Sequence, residues 1–321
     1  MTVRVAAQSA KGPGPVTPTR HAILGMGGVG GLLGALLAHA GDEVTAVLRP
    51  ETLALFPPQL SLESPFGSFS VPVQTETVVR EPFDVLWIAV KATHLDEALA
   101  VVEDATGLGA IVPLLNGIDH VPLLRSRFGD ERVVPATIAV ESERVAPGRI
   151  VQRSPFLRLK VSARGEERLL PVVERLRRLG CSAEFMADEP TLMWSKLVFL
   201  APLALTTSAG TRTIGEVVSD APWRTRLASC TAEACAVGAA RGARGLDPAA
   251  IVESFASLPK GMRSSMQKDV AAGHGPELDA IAGPIMTGGR QLGIDVSVTS
   301  ELAEAVRARV SERKARAERA Q

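Results

Sequence analysis

Lys196 is the only charged residue in a stretch of fourteen, LMWSKLVFLAPLAL, that spans residues 192–205. If the stretch is a helix, the side chains one turn away from Lys196 are apolar, and none of them can pair with an ammonium. Burying an unpaired lysine costs several kcal/mol unless it loses its proton or finds a partner from elsewhere in the chain. Lys196 therefore either has a function that the rest of the chain must explain, or it snorkels from the end of its helix.

The sequence GMGGVG, at residues 25–30, matches the pattern G-x-G-x-x-G between a predicted strand and a predicted helix. In this pattern Gly25 permits a tight turn, Gly27 lets the backbone approach a pyrophosphate, and Gly30 lets the helix pack closely on the sheet. The context favours a dinucleotide site over a plain glycine-rich turn. The predicted cofactor contacts in this loop are Gly25, Met26, Gly27, Gly28, Val29 and Gly30.

The next strand ends in AVLRP, with Arg49 at its end and no acidic residue before Glu51. Sites that select NAD usually carry Asp or Glu at this point to bind the ribose hydroxyls, whereas a guanidinium can bind a 2′-phosphate. We therefore expect NADP(H) as the cofactor and Arg49 as its phosphate ligand. The alternative is a surface arginine at a strand end.

Lys91 and Asn116 each follow a further predicted strand, in the sequences AVKATH and LLNG. In a doubly wound sheet the carboxyl ends of the strands line the ligand crevice, so we expect both residues to contact the cofactor. Asn-Gly is also a strong turn signal, which leaves a purely structural role open.

Strand and helix patterns alternate in the first part of the chain. Strands are predicted at 21–25, 42–49, 84–90, 110–115 and 181–187, helices at 27–41, about 94–104 and 166–180, and several β-rich runs within 132–161. Such alternation predicts βαβ units and a mostly parallel sheet. The predicted fold class is α/β, an N-terminal Rossmann-type doubly wound sheet followed by an all-helical C-terminal domain.

Strand patterns nearly vanish from about Asp188, and Ala-rich helical segments run almost to the end. The predicted domains are a disordered lead-in at 1–18, an NADP(H)-binding domain at 19–187, and a helical substrate domain at 188–321 with a charged tail.

The composition excludes several classes of function. The 35 basic and 35 acidic residues cancel and are scattered, unlike the basic stripe that nucleic-acid binding requires. The three cysteines are too few and too irregularly spaced for a disulfide framework or a zinc site. The uncharged run at 197–211 is shorter than the roughly 20 apolar residues that span a bilayer. We expect a cytoplasmic protein with no metal and no nucleic-acid or membrane partner.

Six motifs follow one another along the chain: GMGGVG, a strand ending VLR, VKATH, LLNGIDH, MWSKL and SSMQKDVAAGHGPELDAIAG. In these motifs the chain resembles the ketopantoate reductase (2-dehydropantoate 2-reductase) family, over almost its whole length. Many dehydrogenases share the first motif, whereas the last two in this order are far more specific. The resemblance implies that NADPH delivers a hydride to a 2-keto acid, by default ketopantoate, on the way to pantothenate and coenzyme A.

The resemblance also implies roles for individual residues. The family's catalytic lysine falls on Lys196 and its acidic partner on Glu277, while its substrate contacts fall on Ser265 and Asn116. Its cofactor arginine falls on Arg49. We expect Lys196 to protonate the substrate oxygen, and Glu277 to oppose the lowering of the lysine pKa and to orient the ammonium.

The acidic and hydroxyl residues of the last motif also have purely structural interpretations. Glu277 follows Pro276 and could simply complement the dipole at a helix N-terminus. Ser265 could be a helix cap, and Asp269 an exposed helix residue or a support residue ranked below Ser265.

The chain departs from the family pattern after the lysine, where K-x-x-x-N-x-x-x-N is usual. Leu200 and Ala204 stand in place of the two asparagines, and Pro202 between them is expected to kink the helix. The predicted substrate pocket is therefore less polar, which leaves three interpretations open. These are a ketopantoate reductase, a reductase of a less polar 2-oxo compound, and a non-catalytic NADP(H)-binding protein. The Ala-rich helical half would suit a homodimer contact.

Overall fold

The computed structural model describes residues 17–80, 82–102, 107 and 109–320, so that residues 1–16 of the predicted lead-in lie outside the described residues. The N-terminal part runs β1 Arg20–Leu24, α1 Gly28–His39, β2 Glu43–Val47, α2 Pro50–Leu53, β3 Gln59–Ser64, β4 Gly67–Pro72, β5 Gln74–Glu76, β6 Val85–Ile88, α3 Leu95–Leu99, β7 Ala110–Pro113, α4 His120–Phe128, β8 Ala136–Ala139, β9 Ser142–Ala146, β10 Arg149–Gln152, β11 Arg158–Ser162, α5 Glu166–Arg178 and β12 Ser182–Met186. The C-terminal part continues with α6 Glu189–Gly210, α7 Ile214–Ser219, α8 Ala221–Ala240, α9 Pro248–Ala256, α10 Ser265–Ala272, α11 Leu278–Leu292 and α12 Ser297–Ala320.

The central sheet has the strand order β5-β2-β1-β6-β7, and all of its neighbouring strands are parallel. Strands β6 and β7 are buried at every residue, as expected for a parallel sheet covered on both faces. Helix α1 connects β1 to β2 and packs on the sheet through Leu32, Leu33 and Leu36. This sheet and the helices that follow it confirm the predicted fold class.

Two smaller sheets accompany the central one, with orders β4-β3-β10-β9 and β12-β11-β8. The β-rich region predicted at 132–161 supplies β8 to β11. Strands β3 to β5 and helix α4 were not predicted from the sequence. In contrast, helix α3 is shorter than the predicted helix at 94–104.

The C-terminal part is all helical and is built around α6, which packs against α8, α10, α11 and α12. Helix α6 runs as one helix through Pro202. Helices α10 and α11 end at Gly273 and Gly293, whose φ angles of +79° and +67° lie in the left-handed region that glycine adopts readily. A glycine therefore ends each of these two helices.

Helix α6 is the one helix in the described part of the chain that is long and apolar enough to cross a membrane by length and composition. However, 78% of its apolar window is buried inside the fold, and the core helix of a soluble protein passes the same test.

Candidate active site

The glycine loop after β1 leaves the N-terminus of α1 open. Gly25 has a φ of +103°, and a Cβ at this residue would lie 2.7 Å from Val90 Cγ1, so the turn requires glycine. A Cβ at Gly30 would lie 2.1 Å from Gly25 O, which explains the close approach of helix and strand. Gly27 precedes α1 without a side-chain cap, and a Cβ there would meet nothing within 4 Å. The first-turn amides of α1 are therefore available to an anion, and the loop fits a pyrophosphate.

The other three residues of the loop face the protein. Met26 is buried and Val29 is partly buried in the core of the sheet domain. Gly28 packs against the start of β9, where Ser142 Oγ donates a hydrogen bond to Gly28 O at 2.9 Å. A cofactor bound at this loop would therefore meet Met26 and Gly28 through their backbone atoms.

Arg49 lies where expected, at the carboxyl edge of the sheet just after β2, and about half of its side chain is exposed. Its guanidinium is already paired, because Nη2 donates to Oε2 of Glu97 on α3 at 2.9 Å. His94 Nδ1 lies 3.6 Å from the same oxygen. This pair was not predicted from the sequence.

Lys91 joins the sheet to the helical half. Its Nζ lies 2.8 Å from Oδ1 of Asp269 on α10, and Lys268 on the same helix pairs with Glu141 at 2.7 Å. Asp269, which sequence reasoning ranked below Ser265, therefore makes one of the contacts that cross between the two halves.

Glu277 bridges the ends of two strands. Its side chain is buried, Oε1 accepts a hydrogen bond from Ala92 N at 2.8 Å, and Oε2 accepts one from Asn116 Nδ2 at 2.9 Å. Glu277 precedes α11, but its side chain forms no cap hydrogen bond. Gly117 allows this close docking, because a Cβ there would lie 2.2 Å from Ala280 O.

Lys196 is partly buried on α6, and within the described part of the chain its side chain forms no hydrogen bond or ion pair. Burial lowers the pKa of Lys196 to about 8, and the negative charge of Glu277 opposes this shift. The two groups therefore interact through space, while the carboxylate is held by Ala92 and Asn116. A lysine in this state can give up a proton near neutral pH.

His120 is a neighbour of Lys196 that sequence reasoning missed. It is 6% exposed, and its Nε2 is buried without a hydrogen-bond partner among the described residues. Burial, and then the charge of Lys196, lower the pKa of His120 to about 4, so the imidazole is neutral at physiological pH. The only signal in the sequence was its place four residues after Asn116.

Ser265 is the predicted site residue that the structure does not connect to the others. The cap of α10 is the preceding residue, Ser264, whose Oγ accepts from Gln267 N at 3.1 Å and lies 2.8 Å from Thr207 Oγ1. Ser265 is exposed, and its side chain makes no hydrogen bond with the described residues.

The two positions that depart from the family pattern face the helical core. Ala204 is fully buried in it, and Leu200 packs against it while partly buried. Among the residues that the structure describes, no group of three or more His, Cys, Asp and Glu side chains could hold a metal ion. The three cysteines are buried free thiols whose pKa values are raised by burial.

A parallel sheet with an open glycine loop at its carboxyl edge, faced by a lysine and a buried carboxylate from a helical half, is the architecture of a Rossmann-type oxidoreductase. The chain belongs to the ketopantoate reductase family. The family model described as "Ketopantoate reductase PanE/ApbA" matches residues 21–164, and "Ketopantoate reductase PanE/ApbA C terminal" matches residues 190–310.

Individual relatives agree with this assignment. A 2-dehydropantoate 2-reductase of Caulobacter vibrioides is 29% identical over an alignment of 283 residues that covers 86% of this chain and 94% of that protein. The structure of a PanE/ApbA family ketopantoate reductase from Ralstonia eutropha has a TM-score of 0.81 at 24% identity, covering 92% of this chain and 99% of that one. A D-mandelate dehydrogenase bound to NADH and anilino(oxo)acetate has the same fold, with a TM-score of 0.81, 18% identity and coverage of 92% and 99%. The family indicates a nicotinamide cofactor and a small keto acid substrate.

Proposed function

We propose that this protein is an NADPH-dependent reductase that converts a 2-keto acid to the 2-hydroxy acid, with Lys196 as the general acid. The default substrate is ketopantoate, which places the enzyme in pantothenate and coenzyme A biosynthesis. The observation that carries the proposal is the lysine whose pKa is lowered to about 8, facing a buried carboxylate at the carboxyl edge of the sheet. A domain boundary near residue 187, between β12 and α6, belongs to the same proposal.

The glycine loop and three side chains form the proposed cofactor site. The open amides at the start of α1 bind the pyrophosphate, and Arg49 binds the 2′-phosphate. Lys91 and Asn116, at the ends of β6 and β7, lie at the edge where the nicotinamide half is expected. When bound, NADPH supplies the hydride.

Lys196 supplies the proton. As negative charge develops on the carbonyl oxygen, the ammonium stabilises it and then transfers a proton to it, a role typically worth about 10²–10⁴-fold in rate. Glu277 favours the protonated lysine before the reaction. Asn116 positions Glu277 through its Nδ2 hydrogen bond, and its remaining N–H and Oδ1 are proposed to contact the substrate together with Ser265.

A second candidate keeps the chemistry and changes the substrate. Leu200 offers no hydrogen bond where the family carries an asparagine, and one missing to a polar substrate group costs about 1–3 kcal/mol. A less polar 2-oxo acid would not incur this cost. In contrast, a purely non-catalytic NADP(H)-binding protein would have no need of a lysine with a lowered pKa in its cleft.

The test is NADPH oxidation by the purified protein with ketopantoate and, in parallel, with phenylglyoxylate. The Lys196→Ala variant is compared with Lys160→Ala, which removes an exposed lysine from a surface ion pair with Glu184. Turnover of ketopantoate that is lost only in Lys196→Ala supports the proposal, and turnover of phenylglyoxylate alone supports the second candidate. NADPH binding without turnover of either acid would favour the non-catalytic reading.

The remaining expectations are proposals of the same kind. We propose that the enzyme acts in the cytoplasm on a small molecule, without a nucleic-acid or membrane partner. Homodimerisation through the helical half stays a prediction, to be checked by light scattering.

A further inference from the structure

The ion pair between Arg49 and Glu97 spans the mouth of the proposed cofactor site. Arg49 follows β2, and Glu97 lies on α3, after β6. Both strands neighbour β1 in the central sheet, so the pair crosses the carboxyl end of the strand that leads into the glycine loop. The guanidinium Nη2 and the carboxylate Oε2 are 2.9 Å apart, and His94 Nδ1 lies 3.6 Å from the same oxygen.

This pair contributes little to folding. The side chains of Arg49 and Glu97 are 51% and 63% exposed, and water screens such exposed pairs, so they add little to stability. The pair bears on function because of its position at the edge of the proposed cofactor site, and not because of its strength.

Glu97 occupies a donor that a 2′-phosphate could use. An arginine binds carboxylate and phosphate through the same kind of N–H fork, so a phosphate that engages Nη2 of Arg49 competes with the carboxylate for it. NADH makes no such demand, because it carries no 2′-phosphate, and a carboxylate at this edge can accept a hydrogen bond from a free 2′-hydroxyl.

We propose that Glu97 is a cofactor-specificity residue, which lowers the preference for NADPH over NADH by competing with the 2′-phosphate for Arg49. The proposal rests on the proposed function, in which Arg49 is the phosphate ligand. It adds that the chain carries an internal competitor for its own phosphate site.

The test measures the Kd of NADPH and NADH by fluorescence titration at low salt. The variants are Glu97→Gln, Arg49→Ala, the double variant, and Asp96→Asn as a matched control. Asp96 is the preceding residue on α3 and is exposed, so its substitution changes the net charge equally without touching Arg49. Glu97→Gln is expected to lower the Kd of NADPH about three- to tenfold and to change that of NADH less than about twofold. Asp96→Asn is expected to leave the ratio of the two Kd values unchanged.

The double variant separates competition from simple repulsion. If Glu97 acts by occupying Arg49, its substitution has no effect on NADPH affinity in the Arg49→Ala background. An effect that persists there, or a Glu97→Gln ratio equal to the wild-type ratio, overturns the proposal while leaving the reductase function intact. A wild-type protein that binds neither cofactor overturns the proposed function itself, and this inference with it.

Discussion

Two polar clusters lie at opposite ends of the central sheet, and they differ in how completely their hydrogen bonds are made. At the amino end Trp87 Nε1 donates to His21 Nδ1 at 3.1 Å, and His21 Nε2 therefore carries the proton that faces Asp42 Oδ2 at 3.2 Å. Arg175 Nη1 pairs with Asp42 at 3.0 Å, and Thr19 N donates to the same carboxylate at 3.0 Å.

At the carboxyl end the groups are not matched in this way. Among the described residues, Lys196 has no side-chain partner and His120 Nε2 has none either. Because buried polar groups in folded proteins are nearly always hydrogen-bonded, the complete amino-end cluster is typical of a structural network. Unmatched polar groups in a cleft are typical of a binding or catalytic site, which is the role proposed for the carboxyl-end cluster.

The substitution Lys196→Met has the largest expected effect, and it tests the difference between the two clusters at the carboxyl end. The variant removes an unpartnered ammonium and leaves an apolar chain of similar length, so we expect kcat to fall about 10²–10⁴-fold. The Tm should not fall, because no hydrogen bond or ion pair is lost. Turnover and thermal unfolding are measured on the same preparation. A lower Tm with activity retained would mean that Lys196 is a structural residue.

Arg175→Met makes the opposite change at the amino end. It leaves the buried Asp42 without its cationic partner, and breaking such a buried pair costs about 3–5 kcal/mol of stability. Denaturant unfolding measures this loss, while kcat per folded molecule should be unchanged. A large effect on kcat with normal stability would show that the two ends are coupled.

His120→Asn probes the acid sensitivity of the carboxyl end. The pKa of His120 is lowered from 6.5 to about 4, so the unfolded chain binds a proton in this range that the folded chain does not. The wild type should therefore lose up to about 3 kcal/mol more stability than the variant as the pH falls from 6.5 to 4. Equal pH dependence of unfolding in the two proteins would contradict the buried neutral state.

Glu277→Gln tests how the carboxylate acts on the lysine. In the wild type, kcat/KM should fall as the pH rises through about 8, where Lys196 loses its proton. Because Glu277 opposes the lowering of this pKa, its neutralisation should move the fall in kcat/KM to lower pH and reduce activity at pH 7 about tenfold. A pH profile that keeps its wild-type position would indicate that Glu277 only holds Ala92 and Asn116 in place.

The parts of this site that could be predicted from the sequence are local patterns. Each of these patterns can be recognised within a few residues of sequence. They are the glycine loop, the strands before Arg49, Lys91 and Asn116, and the apolar helix around Lys196. The partners could not be derived from local patterns, because they depend on how the helical half docks on the sheet. Asn116 and Glu277 are 161 residues apart in the chain, and Lys91 and Asp269 are 178 apart.

Short or half-exposed elements were also missed, for a physical reason. Strands β3 to β5 are largely half-exposed or exposed, so they lack a clear apolar run. The resemblance to a family supplied Glu277 and Ser265 without local patterns. The structure places Glu277 in a buried hydrogen-bond network, and it leaves Ser265 exposed next to Ser264, which caps α10.

Leu200→Asn gives the smallest expected effect and bears on which ligand completes the carboxyl-end cluster. Leu200 lies one helical turn after Lys196, so an amide here adds a donor and an acceptor beside the reacting carbonyl. If ketopantoate is the substrate, its hydroxyl group gains a partner, and kcat/KM for ketopantoate should rise about three- to tenfold relative to phenylglyoxylate. Leu200→Met, which keeps the volume and the apolar character, should leave this ratio unchanged. A ratio that stays constant in the Asn variant would mean that position 200 faces only the helical core, and the preference for a less polar acid would then have to be sought elsewhere in the cleft.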